Sequence, residues 1–164
     1  MTLENSDTPT VQDGAAQALE HVQGIIAAAG LNAVAEITRV EGDAVNIDIS
    51  GEDSGYFVGR KGQVLDSLQY LLLVMVTHNK PSSNRLRIHL DADGYRQRRE
   101  ESLKELARSL ADQVKSTGEE AVLEPLNALE RRIVHTELAD DPDVETYSEG
   151  EDSNRHIVIT PRKS

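Results

Sequence analysis

The first apolar periodicity in the chain follows a polar start. Residues 1–13 are acidic, contain Pro9 and show no apolar repeat, so they read as a disordered tail. From Gly14 the pattern changes. Ala18, Val22, Ile25, Ile26 and Ala29 fall at helical spacing, with Gly30 as a stop signal. Ala33–Val40 and Ala44–Ile49 then read as a β-hairpin turned at Glu41-Gly42-Asp43. Val45, Ile47 and Ile49 alternate with Asn46, Asp48 and Ser50, as in a half-buried strand. A glycine-rich segment, Gly51–Gly62, has room for a short helical turn near Ser54–Val58. The helix after it is expected to run to about Asn79, with Val64, Leu65, Leu68, Leu71, Leu72 and Met75 on one face. Leu73 and Val74 point elsewhere, so more than one side is expected to be covered. Lys80–Asn84 is a turn, and Leu86, Ile88 and Leu90 alternate with Arg85, Arg87 and His89 as a third strand.

A second, smaller unit follows, and no internal repeat is visible. Asp93 is placed to cap a helix from Gly94 or Tyr95 to about Ser116, with Leu103, Leu106, Ala107, Leu110 and Val114 as its stripe and Gly118 as its end. A strand near Ala121–Glu124, a helix from Pro125 to about Ala139, and strands near Val144–Ser148 and His156–Thr160 complete the chain. The class is α+β. The expected organisation is the tail over 1–13, one domain over 14–93 and a second over 94–164, with the boundary inside the long helix 94–116 that joins them.

Charge changes this picture locally. The net charge of −12 argues against a polyanionic ligand, but it is unevenly spread. Residues 1–55 carry ten acids and one base, residues 56–116 seven acids and eleven bases, and residues 117–164 twelve acids and five bases. The middle segment is net positive, which suits either phosphate binding or an uneven solvated surface. The chain has no cysteine, which excludes disulfides, thiolate chemistry and cysteine zinc sites. No apolar run approaches a membrane span, and the start lacks the basic flank and apolar region of a secretory signal, so a cytoplasmic protein is expected.

Two motifs carry chemistry. Gly59-Arg60-Lys61-Gly62 is a G-x-x-G: two glycines permit a tight turn and close approach of phosphates, the amides of the following helix favour anions, and Arg60 and Lys61 add two positive charges. It is not a P-loop, because Gln63 follows Gly62. By itself it is also compatible with an ordinary glycine turn. The second is Arg131-x-x-x-His135, which places a permanent cation and an imidazole one turn apart. This face is expected to lie opposite a Leu126/Leu129/Ile133 stripe and to reach solvent, as a phosphate contact or as a plain solvated face.

In this order the motifs resemble a family. The arrangement α-β-β-α-α-β around the G-x-x-G is similar to a type II KH domain, and the module with Arg131 and His135 resembles an R-three-H domain. That pairing resembles the bacterial Jag, or SpoIIIJ-associated, family, also called KhpB. Further segments that resemble it are Val58–Tyr70, Tyr95–Glu100, Glu130–His135 and Val144–Gly150. The resemblance implies a single-stranded RNA binder, an RNA chaperone or post-transcriptional regulator linked to cell elongation, division and cell-wall homeostasis. It implies a small KH-domain protein of the KhpA kind as partner, or a KH-mediated dimer. Many members begin with a separate domain, where residues 1–30 offer an acidic tail and one helix.

Other signals are weaker. Arg96, Arg98 and Arg99 oppose the dipole at a helix start, so they are either RNA contacts or offset locally by pairs such as Arg96–Glu100 and Arg98–Glu101. Arg85 and Arg87 carry the same ambiguity. His89-x-Asp91-x-Asp93 reads as a strand end and a helix cap, and Asp140–Glu145 as an acidic loop lacking the glycine and terminal glutamate of a calcium loop, so no metal and no cofactor are expected. Only five aromatics occur, fewer than an aromatic stacking platform would use. No catalytic dyad or triad pattern is visible, so an enzyme is not expected. The alternative function is a protein-interaction adaptor in a division or membrane-insertase complex.

Overall fold

A computed structural model of the chain describes residues 11–78 and 86–162. It divides the chain into two compact units, residues 1–96 and 97–164. The turn expected at Lys80–Asn84 and the strand position of Arg85 lie outside the described residues, as do residues 1–10.

The first unit runs α1 (Val11–Ala29), β1 (Val34–Glu41), β2 (Ala44–Ser50), α2 (Ser54–Val58), a single 3₁₀ turn (Arg60–Gly62), α3 (Gln63–Thr77) and β3 (Arg87–Ala92). The expected order α-β-β-α-α-β is therefore present. The helix begins earlier than the polar tail implied: Val11–Asp13 are helical, and Val11 packs on the core, so the boundary at residue 13 does not hold. The sheet order is β1-β2-β3, with β1 antiparallel to β2 and β2 parallel to β3. A parallel pair needs a crossover, and α2 with α3 supply it. Val45, Ile47 and Ile49 of β2, Leu65 and Leu72 of α3, Val22 of α1 and Leu90 of β3 are essentially sealed from solvent. Complete burial of such side chains stabilises by about 1.5–3 kcal/mol each.

Two side chains occupy the free edge of β3 at Leu90. The Leu90 amide donates to Gln69 Oε1 at 2.9 Å, and Arg96 Nε donates to the Leu90 carbonyl at 2.8 Å. The buried face of α3 differs from expectation. Leu65, Leu68, Leu72 and Val76 face the core, whereas Val64, Leu71, Val74 and Met75 are exposed. A helix that is apolar almost all round offers no period from which to select a face, so packing decides.

The second unit takes α4 (Tyr95–Thr117) from Gln97 onward, then β4 (Ala121–Val122), α5 (Ala128–Glu137), β5 (Val144–Glu149) and β6 (His156–Pro161). Its sheet order is β4-β6-β5, all antiparallel. Leu103, Ala107, Ala111 and Val114 of α4 pack with Leu123, Leu126, Val134, Leu138, Val144, Ile157 and Ile159, while Leu106 is exposed. Gly118 ends α4, its amide bonding the Val114 carbonyl at 2.8 Å. Helix α5 does not start at Pro125. Asn127 caps it: its side chain accepts from the Glu130 amide at 2.9 Å, while Glu130 Oε2 accepts from the Asn127 amide at 3.1 Å. This reciprocal box outweighs the preference of proline for a first turn.

Candidate nucleic-acid interface

The Gly59–Gly62 segment is built by backbone conformation. Gly59 has φ 66° and ψ −166°, Lys61 φ 53° and ψ 31°, and Gly62 φ 78° and ψ 8°. Three of the four residues occupy positive φ, which only glycine adopts without strain. Space excludes side chains as well. A Cβ on Gly59 would lie 2.3 Å from Val64 Cγ2, and one on Gly62 would lie 2.9 Å from Tyr95 Cε1. Both glycines are therefore demanded twice over, by torsion and by contact. Arg60 is exposed and Lys61 half-buried between them.

The loop delivers the chain into α3 with no side chain capping that helix. The Gln63 amide bonds back to the Arg60 carbonyl across the 3₁₀ turn, and the positive end of α3 stands directly behind the loop, the arrangement that attracts anions. Asp66 in the first turn would oppose this, but Arg96 Nη1 pairs with Asp66 Oδ1 at 2.9 Å. Arg96 also holds Leu90 and Gln69, so its guanidinium is spent inside the first unit and not on Glu100, whose carboxylate takes Lys104 at 2.7 Å. Of the other two arginines, Arg98 is exposed, and Arg99 pairs through Nε with Glu130 Oε1 at 2.8 Å. Glu130 is only 6% exposed; its two oxygens serve Arg99 and the α5 cap. Where Asp93 was expected to cap α4, the Arg96 amide donates to Asp91 Oδ1 at 3.2 Å, while Asp93 Oδ2 accepts from the Ser54 hydroxyl.

Arg131 and His135 do not both stand free in solvent. Both are half-buried, and Leu129, placed on the apolar stripe by the sequence, is exposed. The buried line of α5 is Glu130, Val134 and Leu138. At about 100° per residue, Arg131 and His135 flank that line on one side, which turns them toward the sheet. Arg131 Nη1 donates to the Leu126 carbonyl at 2.8 Å. The His135 ring sits between two hydroxyls of β5: Nδ1 is 2.7 Å from Thr146 Oγ1 and Nε2 is 3.1 Å from Ser148 Oγ. Burial, and after it the charge of Arg131, lowers the His135 pKa from 6.5. Sequence reasoning missed Thr146 and Ser148, because hydroxyl residues alternating on a strand are commonplace. It also missed the cap, although Asn127-x-x-Glu130 is a readable signal.

The chain matches two family models in order, the KhpA/KhpB KH domain over residues 17–90 and the R-three-H domain over residues 101–161. It is 41% identical to the RNA-binding protein KhpB of Clostridium symbiosum over 94% of this chain and 68% of that protein. It is 36% identical to that of Bacillus subtilis over 73% of this chain and 57% of the other, and 38% identical to that of Lactiplantibacillus plantarum over 66% and 33%. The chain thus spans only part of each of these proteins. Among the described residues no helix is long and apolar enough to cross a membrane. With both domains present in the family's order and identity extending over nearly the whole chain, the chain belongs to the KhpB family.

Proposed function

We propose that the chain binds single-stranded RNA, with backbone phosphates held at Gly59–Gly62 and a second contact at Arg131 and His135, and that it acts without catalysing a reaction. The observation that carries this reading is the loop itself: three residues at positive φ, an exposed Arg60, and the uncapped start of α3 behind it. Such a groove admits a splayed strand more readily than a duplex. The names of the relatives, as RNA-binding proteins, support the same class of ligand. Arg98, exposed on α4, adds a further candidate contact; Arg96 and Arg99 contribute by neutralising Asp66 and Glu130. The cellular role expected of a cytoplasmic member is RNA chaperoning or post-transcriptional control tied to elongation, division and wall homeostasis.

The test is a titration of single-stranded RNA against the wild type and the Arg60→Asp/Lys61→Asp variant. Two acids in place of two bases should remove most of the affinity while leaving the fold intact. An unchanged affinity, or a duplex that outcompetes the single strand at moderate salt, rejects the clamp.

One observation favours a second reading, a protein-interaction adaptor. Val64, Leu71, Val74 and Met75 leave an apolar strip of α3 exposed. Under this reading the chain stays in complexes after an extract is treated with RNase, with a small KH-domain protein or a second copy as partner. Under the RNA reading it is released.

A further inference from the structure

The two hydroxyls beside His135 have no part in the motif that drew attention to it. Thr146 and Ser148 are two residues apart on β5, on the same face, about 7 Å apart along the strand. Both are half-buried on the side toward α5, and both touch the same ring. Glu145, Tyr147 and Glu149 alternate with them and stand on the other face of the strand. We propose that Thr146 and Ser148 complete the Arg131 site as a phosphodiester-binding surface, in which the His135 imidazole decides how many hydroxyl protons are available to the phosphate. The proposal rests on the reading of Arg131 and His135 as a nucleic-acid contact and extends it to residues on another element.

The argument is one of proton counting. A neutral imidazole has one N–H and one lone pair. With both nitrogens engaged, the ring donates to one hydroxyl and accepts from the other. The first hydroxyl keeps its proton for an outside acceptor, and the second turns its proton inward. An imidazolium donates from both nitrogens, so both hydroxyls then turn their protons outward, toward a phosphate oxygen. One proton taken up by the ring thus adds a positive charge and a second outward donor at the same place. Arg131 supplies the permanent charge, since one guanidinium nitrogen bonds the Leu126 carbonyl and the remaining donors are left for an anion.

The charges around the ring are few. On its own helix they are Arg131, Arg132, Glu130 and Glu137. Facing α5 from α4, Arg99 and Arg108 are held by Glu130 and Glu137 at 2.8 and 2.6 Å. From the sheet, β5 offers Thr146 and Ser148, and β6 opens with His156, whose Nδ1 lies 2.9 Å from the Asn154 carbonyl. Arg131 is the charge that bears on the His135 pKa, and it disfavours the imidazolium. A bound phosphate reverses that balance and draws a proton onto the ring.

The experiment uses the full chain and one long single-stranded RNA, with affinity measured by fluorescence anisotropy at pH 7.5 and 5.5. The variants are Arg131→Ala, His135→Gln, Thr146→Val/Ser148→Ala and Arg60→Asp/Lys61→Asp. The hydroxyl variant should bind roughly five- to tenfold more weakly than the wild type at pH 5.5, the size expected for one or two lost hydrogen bonds. The gain in wild-type affinity on acidification should shrink in that variant and in His135→Gln. If Arg131→Ala weakens binding while the hydroxyl variant matches the wild type, the proposal fails and the second contact stands. If both match the wild type while the loop variant is weak, the second contact itself fails. A measurement on the unaltered protein covers poor folding of any variant: the NMR titration midpoint of His135 should move up when RNA is added. A midpoint that stays in place overturns the proposal.

Discussion

The two candidate contacts are made in opposite ways. Between Gly59 and Gly62 the structure is set by torsion angles, and the side chains that matter are the ones that are missing. At His135 the backbone is ordinary helix and strand, and the site is made of side chains that meet from positions 131, 135, 146 and 148. A backbone-built site is compact in sequence and intolerant of any added atom. A side-chain-built site is dispersed, and it depends on how its helix is mounted.

The sharpest break in this comparison is Gly59→Ala. The added Cβ meets Val64 Cγ2 at 2.3 Å at a backbone φ of 66°, so we expect a loss of about 3 kcal/mol in thermal or denaturant unfolding, with loss of RNA affinity. A stable Gly59→Ala protein with full affinity would show that the loop geometry is not needed. The matching break in the second unit is Glu130→Ala. It removes the side-chain half of the α5 capping box, leaving the Asn127 cap itself in place, and leaves Arg99 without its partner, at an expected cost of about 2 kcal/mol. Arg131 and His135 should be displaced with the helix, so RNA affinity should drop although neither residue is altered. A loss of stability with affinity untouched would separate the mount from the contact.

Acidity provides a gentler probe. The folded pKa of His135 lies below the unfolded value of 6.5, so between those two values the unfolded chain binds the extra proton. The contribution of this group to stability is therefore complete above pH 6.5 and is lost as pH falls through that range. Calorimetry between pH 7.5 and 5 should show the second unit weakening, and the slope should lessen in His135→Gln. The smallest effect is expected in the first unit. Glu36 and Asp91 stand in register on either side of Asp48. Burial, then the charges of Asp91, Asp93 and Glu36, raise the Asp48 pKa. Here the sign is reversed, and lowering pH through that raised value relieves the repulsion. Asp48→Asn should stabilise by about 0.5 kcal/mol near neutral pH and should flatten that part of the profile. A destabilised variant would mean that the Asp48 carboxylate is held by a bond that an amide cannot replace.

The contrast between the sites also explains how much the sequence revealed. The order of elements was legible wherever glycine or alternation marked an end: Gly30 after α1, Ser54–Val58 as a helical turn, and Val45, Ile47 and Ile49 as the buried side of β2. The G-x-x-G was legible for the same reason, because its constraint acts on neighbouring residues. The face of α3 was not, since Val64 and Leu72 are equally apolar and only tertiary packing separates them. The face of α5 was misplaced because Leu129 looks like a core residue, while Glu130, which is buried, looks like a surface residue until Asn127 and Arg99 are set beside it. Thr146 and Ser148 lie 11 and 13 positions from His135, and they meet it only because α5 packs beside β5.

The seal on β3 has a consequence for self-association. An unprotected sheet edge is a template on which another chain can add a strand and so begin a fibre. At Leu90 the amide and carbonyl that would recruit such a strand are taken by Gln69 and Arg96. At the opposite margin, β1 pairs with β2 alone and its register shifts between Ile37 and Arg39. A bulge of this kind bends the strand and spoils a continuous ladder. The two margins of one small sheet are thus guarded differently, one by occupied hydrogen bonds and the other by irregular shape, and stacking of copies edge to edge is discouraged on both sides.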